Sequence, residues 1–336
     1  MSDDVAVLGA GSWGTALANL LAKKGRTVRL WALEPDVVTG INERLENAVY
    51  LRGIPLSPRL RATGRLEEAV TGAGTVVAVS PAQYMRRVMA EAAPCIEPEA
   101  LVISASKGIE KGTLQTMAEV LHQVLPSGFR GSTGFVSGPS FAVEVAREMA
   151  TAVTIASSSR SAAVQAQSLL QTNYFRVYTS PDVIGVELGG ALKNVIAVGA
   201  GMAVGLGLGH NATAALITRG LAEMARLGSA LGAQALTFSG LAGMGDLILT
   251  CTGDLSRNRH VGLELGRGRT LREILASMTM VAEGVDTTIA AHALARRENI
   301  EMPIVSAVHA VLFEGSTAQE ALDTLMLREP KPEFWS

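Results

Sequence analysis

One lysine in the second half of this sequence lies where an amine could exchange protons. Lys193 follows Leu-Gly-Gly-Ala-Leu and precedes Asn-Val-Ile-Ala, so nearly all of its neighbours are small or apolar. On a helix it would share a face with Gly189 and Gly190, which destabilise a helix but leave room beside the lysine. Burial lowers the pKa of a lysine, and such a group can act as a general acid or base near neutral pH. A lysine that extends from a core helix to water would have the same spacing.

A glycine pattern near the start of the chain could bind a dinucleotide. The apolar segment Val5–Leu8 is followed by Gly9, Gly11 and Gly14 in the spacing G-x-G-x-x-G, and then by a helical pattern over residues 15–22. Such glycines permit a tight turn, a close approach of backbone to a pyrophosphate, and close packing of helix on strand. The N–H groups and the positive dipole end of the helix then face the phosphates. The alternative is a glycine-rich turn that binds no ligand.

Three polar residues in sequence, Ser256-Arg257-Asn258, could bind a phosphate group. A guanidinium is a planar fork for two oxygens, and the hydroxyl and amide beside it add neutral hydrogen bonds. Because two more basic residues follow, a solvated polar loop is the other interpretation.

Lys107 and Asp246 lie at the ends of predicted elements. Lys107 follows an apolar segment at 101–105, where the carboxyl end of a strand is expected, although a lysine in Ser-Lys-Gly is also typical of surface loops. Asp246 precedes an apolar run, so it could cap the start of a helix. Thr250, one helical turn later, would then share the face of Asp246.

Composition limits the class of protein. The chain has 336 residues, enough for about two domains, and 48% of them are hydrophobic. Its net charge of −2, with acids and bases interspersed, argues against nucleic acid as a partner and against a polybasic membrane surface. Cys95 and Cys251 lack metal-ligand spacing, so we expect no metal site and no disulfide. No secretory signal is visible, and the apolar stretch 191–208 is interpreted as a buried core helix. We therefore expect a cytoplasmic protein without membrane insertion.

The two halves of the chain have different patterns. Up to residue 180, short apolar segments alternate with helical patterns, which predicts an open, mostly parallel sheet with ligands at the carboxyl ends of its strands. Long helical patterns then replace the strands. We predict a dinucleotide-binding domain over 1–180 and an α-helical substrate-binding and catalytic domain over 181–336. The predicted strands are 5–8, 27–31, 75–79, 101–105, 135–137, 150–156 and 175–178; the later helices are 183–202, 212–232, 271–277, 287–298 and 318–325; and 44–63 is interpreted as an ordered loop.

Several short segments occur together in one order along the chain. They are the glycine pattern at 9–14, Ser-Lys-Gly-Ile-Glu at 106–110, Ser-Gly-Pro-Ser-Phe-Ala at 137–142, Gly-Ala-Leu-Lys-Asn-Val-Ile-Ala-Val-Gly-Ala-Gly at 190–201, Gly-Met-Gly-Asp-Leu at 243–247, Ser-Arg-Asn at 256–258 and Val-Ala-Glu-Gly at 281–284. Each alone is a weak signal, but the set in this order is specific. Over essentially its whole length the chain resembles the bacterial branch of the NAD(P)-dependent glycerol-3-phosphate dehydrogenases. The resemblance implies an α/β Rossmann-type N-terminal domain followed by an all-α C-terminal domain, similar to 6-phosphogluconate dehydrogenase.

The resemblance also implies a reaction. Members of the family interconvert dihydroxyacetone phosphate and sn-glycerol 3-phosphate with NAD or NADP, a step that feeds phospholipid synthesis. Lys193 matches the proton donor of the reduction, which accepts a proton in the reverse direction. Lys107 matches a lysine that contacts substrate and cofactor, and Asp246 matches a residue that faces the catalytic lysine. A second positive charge near Lys193 would stabilise a developing alkoxide and lower the pKa of Lys193.

Further positions match binding residues of the family, which is implied to be homodimeric. The substrate positions are Lys107, Gly138, Ser140, Lys193, Asp246, Ser256, Arg257 and Asn258. The cofactor positions are Gly9, Gly11, Ser12, Trp13, Gly14, Leu33, Lys107, Ala142, Arg257, Val281 and Glu283.

The chain departs from many relatives at the end of its second predicted strand. Leu33 stands where many members have Arg or His, cations that can meet the 2′-phosphate of NADP, and Glu34 follows it. A carboxylate here favours the ribose hydroxyl of NAD and repels a phosphate. Glu34 lies slightly beyond the usual place, and Arg26 or Arg29 could compensate. We therefore expect use of both cofactors, with NAD bound better than in relatives that carry Arg or His.

Two other functions fit parts of the sequence. A related hydroxyacid-type dehydrogenase could bind a carboxylate where a phosphate is expected. A nicotinamide-binding sensor would need no catalysis, but such a protein has no use for Lys107, Lys193, Asp246 and Arg257 together.

Overall fold

Strands and helices alternate through the first part of the chain, as the sequence predicts. The computed structural model describes residues 3–333. The first strand is fully buried, and a helix begins directly after the glycine pattern. The strands are β1 (Val5–Leu8), β2 (Val28–Trp31), β3 (Leu60–Thr63), β4 (Thr75–Ala78), β5 (Leu101–Ser104), β6 (Thr133–Ser137), β7 (Thr151–Ala156) and β8 (Phe175–Ser180). The helices among them are α1 (Ser12–Lys23), α2 (Pro35–Arg44), α3 (Leu66–Val70), α4 (Ala82–Ala92), α5 (Met117–Val124), α6 (Ala142–Ala146) and α7 (Arg160–Leu170), with 3₁₀ turns at Ala93–Cys95 and Ser127–Ser132.

Within residues 3–333, eight strands form one sheet in the order β3-β2-β1-β4-β5-β6-β7-β8. Neighbouring strands are parallel except β6 and β7, which are antiparallel. The strand order changes direction between β1 and β4, and in such a sheet ligands bind beyond the carboxyl ends of the strands at that point. The prediction of a mostly parallel α/β fold is confirmed.

The segment at 44–63 contains a strand, so its interpretation as a loop is wrong in part. β3 pairs in parallel with β2 and forms one edge of the sheet. Leu60 and Ala62 are buried, whereas Arg61 between them is exposed. Only these two apolar positions alternate, which is too short a pattern to distinguish a strand from a loop.

Helices make up the rest of the described chain, and the prediction of an all-α second part is confirmed. The boundary that we predict after residue 180 falls between β8 and the first of these helices. The helices are α8 (Val183–Gly205), α9 (His210–Ala230), α10 (Ala235–Phe238), α11 (Asp246–Thr252), α12 (Arg257–Gly266), α13 (Leu271–Ala276), α14 (Glu283–Arg297), α15 (Pro303–Phe313) and α16 (Ala318–Met326), with a π-helix at Leu241–Gly245. Four of these helices are not among the helical ranges that we predict, although the helix start that we consider at Asp246 coincides with the first residue of α11. The missed ones are α10, α11, α12 and α15.

The long helix α8 forms the centre of the helical part. By length and composition it could cross a membrane, but 83% of its apolar window is buried inside the protein. The run Ala235–Thr252 meets the same criterion with 39% of its window buried, and it consists of α10, the π-helix and α11. The prediction of a buried core helix for α8 is confirmed.

Glycines bring α8 and α12 into direct backbone contact. A Cβ atom on Gly201 would lie 2.1 Å from the carbonyl oxygen of Arg259. A Cβ atom on Gly262 would lie 1.9 Å from the carbonyl oxygen of Val198. Because no side chain separates the two helices here, main-chain atoms fix the position of α12 relative to α8.

Candidate active site

A cleft of about 630 Å³ lies beyond the carboxyl ends of β1, β2 and β4. Its walls come from both parts of the chain. Of the residues that we predict for the site, Gly138 and Asp246 lie behind the lining. The others line the cleft: Gly9, Gly11, Ser12, Trp13, Gly14, Leu33, Lys107, Ser140, Ala142, Lys193, Ser256, Arg257, Asn258, Val281 and Glu283.

The three glycines of the loop after β1 have different geometric roles. Gly9 has a φ of +119°, and a Cβ atom there would lie 3.0 Å from the backbone of Val79. A Cβ atom on Gly14 would lie 1.8 Å from the carbonyl oxygen of Gly9. Gly11 faces open space, because a Cβ atom there would meet no atom within 4 Å. Side chains are thus excluded at the turn and at the helix contact, and the backbone at Gly11 is left open to the cleft.

The start of α1 fits the pyrophosphate of a dinucleotide. Its N-cap residue is Gly11, which supplies no side-chain cap, so the first N–H groups of the helix are left for an anion. The indole Nε1 of Trp13 is buried and finds no hydrogen-bond partner among the residues that the structure describes. Trp13 and the loop both line the cleft. These donors are suited to a bound NAD(P), and the residues present fit that cofactor.

A buried carboxylate joins two lysines that line the cleft. Lys193 Nζ donates to Asp246 Oδ1 at 2.5 Å, and Lys107 Nζ donates to Asp246 Oδ2 at 2.7 Å. Lys193 also donates to Thr250 Oγ1 at 2.7 Å, and Lys107 donates to the carbonyl oxygen of Gly138 at 3.1 Å. Lys107 follows β5, whereas Lys193 lies on α8 and Asp246 on α11. The cluster therefore connects the sheet with the helices.

The two glycines before Lys193 allow other elements to approach it. A Cβ atom on Gly190 would lie 2.5 Å from Ser137 Oγ at the end of β6. A Cβ atom on Gly189 would lie 2.5 Å from the carbonyl oxygen of Ala242 in the π-helix. The room that the sequence predicts beside the lysine is used for packing against the strand and the π-helix.

Burial and charge together set the protonation of this cluster. Burial lowers the pKa of Lys193 to about 8, the charge of Lys107 lowers it as well, and the Asp246 carboxylate opposes both. Burial alone would raise the pKa of Asp246, but the charges and hydrogen bonds of the two lysines outweigh it and hold that pKa below its usual value. A lysine with a pKa of about 8 can give or take a proton near neutral pH. Lys193 is buried, so its interpretation as a lysine that extends to water is wrong.

Asp246 does not cap a helix, so that interpretation is wrong. The N-cap of α11 is Gly245, and no side chain caps this helix. The π-helix continues directly into α11, so the usual free N–H groups of a helix start are absent and the carboxylate turns to the lysines. Thr250 shares the face of Asp246 as predicted, since its hydroxyl donates to the Asp246 carbonyl oxygen at 2.6 Å.

Ser256, Arg257 and Asn258 form the start of α12, which excludes the solvated loop. Ser256 is the N-cap, and its hydroxyl accepts a hydrogen bond from the Arg259 N–H at 3.2 Å. Ser256 and Asn258 are buried, whereas Arg257 is exposed at the edge of the cleft. Arg257 Nη1 donates to the carbonyl oxygen of Val281 at 2.8 Å. A helix N terminus beside a guanidinium is suited to an anion.

Asn194 is a lining residue that the sequence analysis missed. Asn258 Nδ2 donates to Asn194 Oδ1 at 2.8 Å, and the Gly284 N–H donates to Asn258 Oδ1 at 2.9 Å. These bonds connect α8, α12 and the start of α14. A side-chain amide directly after Lys193, in a mostly apolar helix, is the signal that could have identified it.

The turn after β6 places two predicted residues at the cleft. Gly138 has a φ of +140°, and a Cβ atom there would lie 2.9 Å from Val153 Cα. Its carbonyl oxygen accepts from Lys107 and also from the Ser140 hydroxyl, the latter at 2.9 Å. Ser140 and Ala142, the first residue of α6, line the cleft.

The segment before α14 crosses from the helices to the sheet. Glu283 Oε1 accepts a hydrogen bond from the N–H of Ala82, the first residue of α4, at 3.3 Å. Burial raises the pKa of Glu283 to about 7. Met280 Sδ lies 3.3 Å from the Ser12 hydroxyl oxygen of the glycine loop, and Val281, the next residue, is exposed and lines the cleft.

Leu33 and Glu34 line the cleft beyond β2. Leu33 is exposed, while Glu34 Oε1 accepts a hydrogen bond from the Tyr50 hydroxyl at 2.8 Å. Tyr50 lines the cleft as well and was not predicted. The role that we predict for Leu33 stays a prediction.

Arg26 and Arg29 lie away from the cleft. Arg26 precedes β2 and pairs with Asp3, and Arg29 lies near the amino end of that strand, 4.0 Å from Asp4. Neither arginine lines the cleft. The suggestion that they compensate the charge of Glu34 therefore fails.

Two family models match the chain, and the division between them lies close to the boundary that we predict after residue 180. One, described as NAD-dependent glycerol-3-phosphate dehydrogenase N-terminus, matches residues 4–163. The other, described as the C-terminus of that enzyme, matches residues 182–323. The chain belongs to the NAD-dependent glycerol-3-phosphate dehydrogenase family. The resemblance that we identify from the sequence is confirmed.

Individual glycerol-3-phosphate dehydrogenases are similar over the full length. The NAD(P)+ enzyme of Citrifermentans bemidjiense is 55% identical over 333 residues, which cover 99% of each chain. That of Geobacter sulfurreducens is 56% identical over 335 residues, which cover all of each chain. The crystal structure of glycerol-3-phosphate dehydrogenase from Coxiella burnetii has a TM-score of 0.92 and 41% identity, covering 97% of this chain and 99% of that chain. A ketopantoate reductase from Ralstonia eutropha, with 18% identity and a TM-score of 0.60, shares the fold alone.

Proposed function

We propose that this member of the glycerol-3-phosphate dehydrogenase family reduces dihydroxyacetone phosphate to sn-glycerol 3-phosphate with NADH or NADPH, and catalyses the reverse reaction. Family membership over the whole chain supports this activity. The product would serve glycerophospholipid synthesis, and we place the enzyme in the cytoplasm. The bound cofactor supplies the hydride, and the protein must supply the proton.

We assign to Lys193 the role of proton donor in the reduction and proton acceptor in the oxidation. Its ammonium group reaches the cleft and is held by Asp246 and Thr250. In the reduction it donates a proton to the carbonyl oxygen as negative charge develops there, and in the oxidation the neutral amine takes that proton back. Lys107 places a second positive charge against the same carboxylate and stabilises the developing alkoxide.

We assign the substrate phosphate to the start of α12. Arg257 supplies a guanidinium and the helix supplies its N terminus, while Asn258 is fixed by Asn194. The Ser256 hydroxyl serves as the N-cap of this helix, so it orders the anion site as well as facing it. Gly138, whose carbonyl oxygen accepts from Lys107 and from the Ser140 hydroxyl, and Ser140 itself complete the proposed substrate positions.

We assign the cofactor to the side of the cleft formed by the glycine loop. The residues proposed to hold it are Gly9, Gly11, Ser12, Trp13, Gly14, Leu33, Lys107, Ala142, Arg257, Val281 and Glu283, all of which line the cleft. The open backbone at Gly11 and the unpartnered indole of Trp13 support this assignment.

One observation carries the proposal: the Lys107–Asp246–Lys193 cluster opens onto the same cleft as the glycine loop. The test measures NADH and NADPH oxidation with dihydroxyacetone phosphate and with a panel of 2-keto acids. We expect turnover with the phosphorylated ketone. A preference for 2-keto acids would favour the hydroxyacid-type dehydrogenase, and cofactor binding without turnover of any ketone would favour a sensor.

We also propose that the protein is a homodimer, which the family resemblance supports. Sedimentation equilibrium should then give twice the chain mass of 35.1 kDa. A single 35.1 kDa species at all concentrations would contradict the dimer.

A further inference from the structure

Lys107 lies in a segment with little regular structure of its own. Residues 105–116, which we call the Lys107 loop, connect β5 to α5. An antiparallel bridge pairs Ile109 with Thr116, and a turn lies between them. Lys107 precedes this bridge, in a part of the loop that is neither helix nor strand. Its position therefore depends on what the loop contacts.

Two side chains of α4, one helical turn apart, bind three successive residues of the loop. Gln83 Nε2 donates to the Ile109 carbonyl oxygen at 2.9 Å, and Gln83 Oε1 accepts from the Lys111 N–H at 2.9 Å. Arg86 binds the residue between them, because its Nε donates to Glu110 Oε1 at 2.9 Å and its Nη2 to Glu110 Oε2 at 2.8 Å. Two parallel bonds from one guanidinium fix the orientation of a carboxylate as well as its place.

Glu110 is a largely buried carboxylate whose charge depends on this partner. Its side chain is 11% exposed, and it also accepts a hydrogen bond from the Thr113 hydroxyl at 2.5 Å. The hydrogen bonds of Arg86 outweigh burial and hold the pKa of Glu110 below its usual value, so the carboxylate is charged at neutral pH. Without Arg86 this charge would have to reach water, and the loop would move with it.

The start of α4 also contacts the loop on both sides of Lys107. A Cβ atom on Gly108 would lie 2.6 Å from the Cβ atom of Ala82, the first residue of α4. The Ser106 hydroxyl donates to the carbonyl oxygen of Ser80, just before that helix. The backbone of Lys107 therefore follows the position of α4.

We propose that Arg86 is a positioning residue of the active site, which acts through Glu110 to fix the Lys107 loop and so keeps the Lys107 ammonium on Asp246. Gln83 has the same role through the backbone of the loop. Neither side chain of α4 lines the cleft, so neither acts on a bound ligand directly. The inference rests on the proposed function for the role of Lys107 in stabilising a developing alkoxide.

The titration of Lys193 reports whether Lys107 is in place. The titratable groups that face Lys193 are Asp246 and Cys251 of α11 and Lys107 itself. Burial raises the pKa of Cys251 to about 12, so its thiol stays neutral over the range concerned. Burial and Lys107 lower the pKa of Lys193, whereas Asp246 raises it. Loss of Lys107 from the cluster should therefore move the titration of Lys193 to higher pH.

The test is competitive labelling of lysine amines in the full-length protein with a trace of acetic anhydride at several pH values, with the extent at Lys193 read by mass spectrometry. Only the neutral amine reacts, so the labelling gives the pKa of Lys193 without any ketone. Arg86→Leu should raise this pKa by about half a pH unit or more. Gln83→Leu changes no charge and should raise it by less. The pH midpoint of kcat for reduction is a second readout of the same group.

Glu110→Leu separates positioning from a general effect of charge. Removal of a negative charge would by itself lower the pKa of Lys193, whereas release of the Lys107 loop raises it. We expect a rise in this variant too. In a Lys107→Gln background, Arg86→Leu should leave the pKa of Lys193 unchanged, because the group through which Arg86 acts is gone.

Arg269→Leu is the matched control. Arg269 Nη1 donates to Glu264 Oε2 at 2.8 Å, and the Glu264 side chain is 11% exposed, the same fraction as for Glu110. This pair lies near the carboxyl end of α12 and does not line the cleft, so the pKa of Lys193 should stay in place. Thermal unfolding verifies that each variant is folded. Gln83→Leu, which leaves no buried charge unpaired, decides the question if Arg86→Leu does not fold.

Four results would overturn the inference. One is an unchanged pKa of Lys193 in both Arg86→Leu and Gln83→Leu. Another is a pair of shifts of opposite sign in Arg86→Leu and Glu110→Leu, which would indicate a general charge effect. The others are an undiminished shift in the Lys107→Gln background and an equal shift in Arg269→Leu. Because the labelling needs no ketone, the expected shifts together with no turnover of dihydroxyacetone phosphate would refute the proposed function and leave the positioning role intact.

Discussion

Asp246 is the residue on which the two lysines of the cleft depend. It receives a hydrogen bond from each of them and is itself fully buried. The pKa of Lys193 is a balance in which burial and Lys107 lower it and Asp246 raises it. Lys193 can therefore gain or lose a proton close to neutral pH. A group that acts as an acid in one direction of a reaction and as a base in the other needs this property.

Replacing Lys193 by methionine tests its role as the proton donor. Lys193→Met keeps an unbranched side chain of similar length but has no proton to give, so kcat should fall about 10²- to 10⁴-fold. Cofactor affinity should be retained, because the glycine loop is unchanged. Steady-state kinetics and NADH titration measure the two quantities, and normal turnover in the variant would reject the assignment.

The pH dependence of turnover reports the pKa of Lys193. Reduction needs the ammonium form, so its kcat should fall as pH rises through about 8, and the kcat of oxidation should rise over the same range. Lys107→Gln removes a positive charge that lowers the pKa of Lys193, so the midpoint should move to higher pH. The lower rate of this variant does not affect the midpoint. A midpoint that stays in place or moves to lower pH would contradict the coupling.

The site residues differ in how far the sequence could predict them. Lys193 was predicted from its apolar surroundings, and Lys107 and Asp246 from the order of segments that carry them. Asn194 and Tyr50 were missed because their importance comes from partners distant in sequence. The partner of Asn194 is 64 residues away, and no local pattern encodes such a bond.

At the scale of elements, the contact between α8 and α12 determines how the site is assembled. α8 carries Lys193 and Asn194, and the first turn of α12 carries Arg257 and Asn258. The two helices meet through glycines, where any Cβ atom would overlap a carbonyl oxygen of the other helix. The distance between Lys193 and the start of α12 therefore depends on backbone packing.

Gly262→Ala should disturb that packing. The added Cβ atom would lie 1.9 Å from the Val198 carbonyl oxygen, so the helices must separate, at a cost of about 1–3 kcal/mol or more of unfolding free energy. Gly131→Ala is the matched control, because a Cβ atom there meets nothing within 4 Å and should change stability by less than about 0.5 kcal/mol. Chemical denaturation compares the two, and equal stabilities would show that the helix contact is adaptable.

Elements whose local pattern differs clearly from their surroundings could be predicted, whatever their length, and elements without such a pattern could not. The apolar stretch of α8 and the strand–glycine–helix unit at β1 and α1 stand out from their surroundings. β3 has only two buried apolar positions, which alternate with polar residues, and α12 begins with polar residues that are equally typical of a loop. In both cases tertiary contacts, with β2 and with α8, supply the stability that local sequence lacks.

At the scale of the whole molecule, the cluster around Asp246 is an ionic link between the sheet and the helices. Lys107 belongs to the turn after β5, and the other members belong to α8 and α11. Removing the carboxylate leaves the buried Lys193 and the partly buried Lys107 without their shared counter-charge, which is costly for a charge in a protein interior.

Asp246→Asn should therefore lower the unfolding free energy by about 3–5 kcal/mol at neutral pH. Without the carboxylate, the pKa of Lys193 in the folded protein falls below about 8, further from the value of about 10.4 in an unfolded chain. A lysine with a depressed folded pKa destabilises the fold in its charged form, so the part of the deficit that comes from Lys193 should shrink as pH rises through about 8, where Lys193 of the unmodified protein also loses its proton.

The control for this experiment is Thr250→Val, which removes one hydrogen bond of Lys193 and keeps every charge. It should cost about 1 kcal/mol, with no comparable recovery at high pH. Denaturation at several pH values makes the comparison. A deficit in Asp246→Asn that is the same at neutral and alkaline pH would refute the electrostatic account.

The roles that we propose for Lys193 and Arg257 make substrate length depend on how α8 packs against α12. The proposed proton donor lies on α8 and the proposed anion site on α12, and the two helices are held together by main-chain contacts at glycines and by the hydrogen bond between Asn194 and Asn258. The number of bonds between the reducible carbonyl and the phosphate of a substrate must therefore match the separation between Lys193 and the start of α12. We therefore expect a homologous ketone phosphate with one more methylene to be a poorer substrate, because it would fit the lysine and the arginine less well at the same time. Discrimination against longer substrates therefore persists even when the apolar side chains of the core change.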